Sequence, residues 1–145
     1  MTAGVGFANS TDVVTGAGTL GSGMWKWINL SQFTSQSGFT VSAGSLLLIS
    51  GQVGRDATEG VIADPEAQFV KAFENLRAVI SEAGATLEDV VEITTYLTSM
   101  VHFRVLTKVK ERFLTSEPYP AWTCIGVSEL ALPGLLLEVK ATAVV

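Results

Sequence analysis

From Phe39 to the C-terminus the chain is written in short apolar runs whose period changes along the sequence. Phe39-Thr40-Val41-Ser42 alternates apolar and polar positions, as a strand with one buried face does, and Ala43-Gly44-Ser45 has turn chemistry. Leu46-Leu47-Leu48-Ile49 then runs into Ser50-Gly51-Gln52, which predicts a second strand, and Gly54 to Gly60 reads as loop. Asp64-Pro65-Glu66 opens a helix: the aspartate side chain accepts from the free amides of the first turn, and the proline sits where a missing N–H costs nothing. Phe69, Ala72, Phe73, Leu76, Val79, Ile80 and Ala83 recur at helical steps and form one apolar stripe, which Gly84 ends. Val90 to Leu97 is rich in β-branched residues and reads as a strand. Phe103, Leu106, Val109 or Lys110, and Phe113 then mark a second, shorter helix ending before Pro118. Ala121 to Val127 and Leu135 to Val145 are the last two strands, separated by a turn at Leu132-Pro133-Gly134. The order strand, strand, helix, strand, helix, strand, strand predicts an α+β domain in which two helices cover one face of a sheet.

Residues 1–36 have a different texture. They are rich in Gly, Ser and Thr, carry only Asp12 and Lys26 as charges, and place Trp25 and Trp27 on either side of the lysine. Solvated tails seldom carry two tryptophans, so this segment reads as a strand or hairpin arm laid on the body. The whole chain of 145 residues is long enough to bury an apolar core without a disulfide or metal staple, and one domain is its default organisation. Its mean hydropathy of +0.40 is high. No apolar run approaches the roughly 20 residues of a bilayer-spanning helix, so the surplus points to a subunit interface. The formal net charge of −5 supplies no positive field, and neither nucleic acid nor an anionic membrane is an expected partner. Cys124 is the only cysteine and His102 the only histidine, which excludes an intramolecular disulfide and metal centres built from several thiolates or imidazoles. The N-terminus has neither the basic nor the continuous apolar region of a secretory signal, and the expectation is a cytoplasmic protein.

Few groups in the chain promise chemistry. Gly16-Ala17-Gly18-Thr19-Leu20-Gly21 matches the spacing of a dinucleotide fingerprint, but the residues after it lack helical periodicity and no acid follows at ribose distance. No nucleotide cofactor is expected. His102, at the start of the second helix, has no second histidine or nearby nucleophile and reads as a surface residue, while Arg104, Lys108, Lys110 and Arg112 read as a solvated helix face. Glu138 stands out because it lies inside a strongly apolar strand, where a carboxylate needs a partner, water or a cleft. It either pairs with Lys140, two residues on and on the same face, or serves as an acid–base group in a site. Cys124, also within a strand, reads first as a small buried apolar residue and only second as a nucleophile.

Several longer stretches then carry a likeness: Leu47-Leu48-Ile49-Ser50-Gly51-Gln52-Val53-Gly54, Ala72-Phe73-Glu74-Asn75-Leu76, Ala83-Gly84-Ala85, Val90-Val91-Glu92-Ile93-Thr94-Thr95-Tyr96-Leu97-Thr98, Pro118-Tyr119-Pro120-Ala121, and Leu137-Glu138-Val139-Lys140-Ala141-Thr142-Ala143-Val144. With these the chain resembles the Rid (YjgF, reactive intermediate deaminase) family from about Phe39 onward, so residues 37–145 are expected to form the Rid-like domain behind an arm of residues 1–36. The resemblance implies a chorismate-mutase-like α+β subunit with a mixed sheet covered by two helices. It also implies a homotrimeric barrel with small-molecule sites in the clefts between subunits. Typical deaminases of this kind hydrolyse enamines and imines to a carbonyl compound and ammonia without cofactor or metal.

Residue by residue, the likeness assigns Glu138 to the water-orienting glutamate and Cys124 to a position whose backbone usually binds ligand. Thr107 stands where the second helix often carries an asparagine, and Phe39 stands for a tyrosine of the first strand. The arginine that clamps the substrate carboxylate after the Pro-Ala pair is replaced by Trp122. Losing that bidentate pair speaks against small imines of simple amino acids, and an indole there would offer a stacking surface to a flatter, less anionic ligand. If a carboxylate is nevertheless recognised, Arg55, just after the Ser50-Gly51-Gln52 strand, is the first residue to consider. Three readings remain open: a pathway-specific cofactor-free deaminase or related acid–base catalyst in secondary metabolism, a ligand-binding or regulatory trimer without turnover, and a ribonuclease.

Overall fold

The computed structural model describes residues 14–20, 23–29, 39–43, 45–56 and 60–145, with side chains at Thr40 and throughout the last two ranges. Strands β1 (Val14–Leu20) and β2 (Gly23–Asn29) form an antiparallel hairpin, and β2 pairs in turn with β3 (Phe39–Ala43). The sheet continues through β4 (Leu46–Val53), which is antiparallel to β3. After two further short strands, β5 (Arg55–Asp56) and β6 (Gly60–Val61), the chain enters α1 (Pro65–Glu82), then β7 (Val90–Leu97), α2 (Phe103–Phe113), β8 (Ala121–Gly126) and β9 (Leu137–Val144). The main sheet has the order β1-β2-β3-β4-β9-β7-β8 and is antiparallel except between β7 and β8. That parallel pair needs a crossover, which α2 supplies. The α+β class is that expected, and so is the succession of helices and long strands from Phe39 onward. The glycine string from Gly16 to Leu20 lies in β1, and the next described element is β2, where a nucleotide fold would need a helix.

The segment from Gly54 to Gly60, expected to be loop, contains part of a small hairpin instead: Arg55 pairs with Val61 and Asp56 with Gly60. Its cause is tertiary. The Asn75 side chain on α1 donates to the carbonyls of Val53 (2.8 Å) and Arg55 (3.2 Å), which pins the chain in extended form as it leaves β4. Gly60 then takes the left-handed φ of +83° that the return requires.

Helix α1 begins as its sequence dictates, with Asp64 Oδ2 accepting from the Ala67 amide at 2.8 Å. At its far end Gly84 has φ +82°, the conformation that lets the chain turn away without a Cβ clash. The stripe from Phe69 to Ile80 is buried against β4 and β9, and the Phe73 and Phe113 rings stack at 5.3 Å to join the two helices. Each fully buried side chain of this size stabilises the fold by about 1.5–3 kcal/mol. On β9, Leu137, Val139, Ala141 and Ala143 are buried beneath the helices, whereas Glu138, Lys140, Thr142 and Val144 point to the opposite, uncovered face. Between Ile49 and Gln52, β4 carries one residue more than β9 opposite it. This bulge lets both Ile49 and Gln52 face the helices and carries the intervening Gly51 beneath Glu138.

One polar side chain ties the layers together. Gln68, fully buried on α1, donates to the carbonyls of Ile62 (2.6 Å) and Gly134 (3.0 Å) and accepts from the Leu136 amide (2.6 Å). It thereby fixes both the approach to α1 and the turn into β9. Replacing it with leucine keeps the bulk but strands three backbone groups, so Gln68→Leu should lower unfolding free energy by about 3 kcal/mol in urea titrations.

Candidate active site

The residues singled out from the sequence fall into two groups on opposite faces of the sheet. Glu138 belongs to the uncovered face, half-buried, with Val53 of β4 and Tyr96 of β7 as its partners in register. Its carboxylate rests on the α-carbon of Gly51: a Cβ at that position would collide with Glu138 Oε1. Lys140 shares the face, but no ion pair joins it to Glu138. The carboxylate thus lies against backbone on one side, and no hydrogen bond or ion pair engages it among the described residues.

Trp122 and Cys124 face the other way. In β8, Trp122 pairs with Ile93 and Cys124 with Thr95, both fully buried under the helices. The indole Nε1 donates to Thr95 Oγ1 at 3.0 Å, and the ring lies parallel to that of Phe103, 5.7 Å between centroids and 4° between planes. Lys110 Nζ sits 4.5 Å from the indole centroid. Phe103, Thr107 and Lys110 are spaced four and three residues apart on α2, so Thr107 occupies the same stripe, its hydroxyl donating back to the Phe103 carbonyl at 3.0 Å. Trp122 thus meets α2 through Phe103 and Lys110, with Thr107 on the same helical stripe and Cys124 on the same face of β8. Cys124 is a free, half-buried thiol packed against the core.

The other assignments land elsewhere. Arg55, in β5, lies two positions beyond Val53, the register partner of Glu138, and its side chain is half-buried. Phe39 pairs through its backbone with Asn29, while its side chain lies outside the described residues. His102 precedes α2 and meets the Phe69 ring edge-on at 6.2 Å, a packing contact. A groove of about 480 Å³ between the C-terminal ends of the helices contains none of these residues. Sequence reasoning missed Gly51, Phe103 and Lys110. Helical spacing carried a signal for the last two, since it left Val109 and Lys110 as alternatives for the apolar stripe. Val109 is buried in the core, and Lys110, counted with a solvated basic face, is half-buried on the indole. Only Arg112 of that basic set is ion-paired among the described residues, with Glu66 at 2.5 Å.

This architecture, an antiparallel-dominated sheet with two helices on one face, is shared by known proteins. A family model described as Endoribonuclease L-PSP matches residues 31–145. The RutC family protein YjgH of Escherichia coli K12 is 36% identical over 104 residues, covering 71% of this chain and 78% of its own. The 2-iminobutanoate/2-iminopropanoate deaminase of Salmonella typhimurium is 31% identical over 107 residues, 72% of this chain and 83% of that one. Among solved structures, RidA from an Antarctic Psychrobacter superposes with TM-score 0.70 at 35% identity, covering 77% of this chain and 89% of its own. E. coli TdcF with bound serine gives TM-score 0.68 at 28% identity, with 73% and 85% covered. The chain belongs to the Rid/YjgF family and has its fold.

The seat of Glu138 on Gly51 can be tested directly. Gly51→Ala should displace the carboxylate or bend β4, lowering stability by about 1–3 kcal/mol and shifting the Glu138 side-chain carboxyl resonance in ¹³C spectra. An unchanged resonance and melting temperature would show that the glycine contact has no such role.

Proposed function

We propose that this protein is a cofactor-free imine or enamine deaminase whose site is completed by a second copy of the chain. The observation that carries the reading is the placement of Glu138, a half-buried residue on an uncovered sheet face whose carboxylate lies against Gly51 and makes no ion pair among the described residues. Support comes from relatives named as 2-iminobutanoate/2-iminopropanoate deaminases. In the proposed reaction Glu138 holds a water by hydrogen bond and draws off its proton as the oxygen attacks the imine carbon. The proton passes to nitrogen, the carbon–nitrogen bond breaks, and water plus imine become carbonyl compound plus ammonia. Atoms and electrons balance without an oxidant, reductant or metal. An enamine first takes a proton on carbon to become the imine. A binding role without turnover leaves this setting of Glu138 unused.

Two features support a site shared between copies of the chain, which we take to be the homotrimer that the family resemblance implies. Trp122 and Glu138 lie on opposite faces of one sheet, so a ligand touching both must bridge two copies. The Glu138 face also exposes Leu46, Leu48, Ile125 and Val144, each at least 40% accessible, the kind of apolar surface that subunit contacts cover. The substrate is a small molecule at that junction. Phe103 already stacks on the indole, so a flat ligand finds that position taken. RNA cleavage gains nothing from a net charge of −5.

In an assay of ammonia released from enzymatically generated 2-iminobutanoate, Glu138→Gln should reduce turnover by about two to four orders of magnitude with the assembly intact by light scattering. Co-assembly of Glu138→Gln with Trp122→Ala should restore part of the activity, because some sites then combine two native halves. A fully active Glu138→Gln, or a stable monomer in solution, would overturn the proposal.

A further inference from the structure

The reaction scheme leaves one charged group at the Trp122 edge without a task. Lys110 is half-buried, and its ammonium is placed against an indole that is itself held by the Thr95 hydrogen bond and the Phe103 stack. Exposed lysines ordinarily keep their ammonium free in water, with many rotamers; this one is confined to the face of an immobilised ring. Among the described residues no carboxylate stands within ion-pair distance of it. The π face engages one side of an ammonium that has three N–H donors, so donors remain for oxygen acceptors arriving from outside. A recess of about 430 Å³ opens beside Lys110, lined also by Glu111, Leu114, Thr115 and Tyr119.

We propose that Lys110 is the anion-recognising residue of this site and binds the carboxylate of a 2-imino or 2-oxo acid. The inference rests on the reading above of a deaminase site in which the ligand touches Trp122. A lysine offers a point charge without the flat two-pronged geometry of guanidinium, so it selects for negative charge while tolerating different orientations of the carboxylate plane. Glu111 on the rim of the recess opposes further negative charge and restricts the ligand to a monoanion. Trp122 is the platform that sets where the ammonium lies, and so acts on specificity through Lys110.

The test uses the full-length protein and 2-oxobutanoate as probe, with neutral 2-butanone as control, read from the Trp122 indole ¹H–¹⁵N resonance identified by its loss in Trp122→Phe. Saturable shifts are expected with 2-oxobutanoate, weakening as salt is raised, and little response to 2-butanone. Lys110→Met keeps an unbranched side chain over the indole and should weaken binding by about tenfold or more, whereas Lys110→Arg should retain most of it. In the ammonia assay Lys110→Met should raise KM for 2-iminobutanoate far more than it lowers kcat. Absence of 2-oxobutanoate binding by the native protein, or equal binding by Lys110→Met, overturns the inference even if the imine is hydrolysed. Lys110-dependent binding with no hydrolysis of any imine would instead leave the anion site standing and overturn the deaminase reading.

Discussion

Strand β9 lies in the middle of the helix-covered part of the sheet, paired on both sides, and its alternation decides what the molecule can be. Leu137, Val139, Ala141 and Ala143 close the core beneath α1, and the same backbone must then send Glu138 and Lys140 the other way. A shift of one residue would bury both charges under the helices and expose the apolar set. Gln68 and the β4 bulge hold that register, the first by fixing the turn into β9, the second by bringing Gly51 beneath the glutamate.

Covering one face leaves the other to be used. The helix-covered face is a folding core that also reaches out at the β8 edge to hold Trp122, Phe103 and Lys110. The open face carries Glu138 among exposed aliphatic side chains. Catalysis that needs a water-orienting carboxylate and recognition of the rest of the substrate draws on both, which is why assembly and activity are linked in the proposed function. In that proposal a small chain with few charged residues gains the second wall of its site without additional sequence.

The resemblance puts an arginine where this chain has Trp122, and α2 brings Lys110 onto that indole. In the proposed site the positive charge therefore comes from a different element, as a point charge without a planar fork.

The sequence by itself determined the two helices, the caps of α1 and the succession of long strands along the chain from Phe39 onward, because periodicity, an aspartate cap before Pro65 and a glycine after α1 are local signals. It also singled out Glu138, since a carboxylate in an apolar strand is conspicuous without a structure. What only the tertiary structure decided depends on contacts between distant segments. Asn75 turns an apparent loop into the β5–β6 hairpin, the bulge in β4 delivers Gly51 to Glu138, and β8 packs under α2 so that Lys110 meets Trp122. The separation of Trp122 from Glu138 by the thickness of a sheet follows from the register of β8 and β9 on β7, a pairing between strands far apart in sequence that no local pattern encodes.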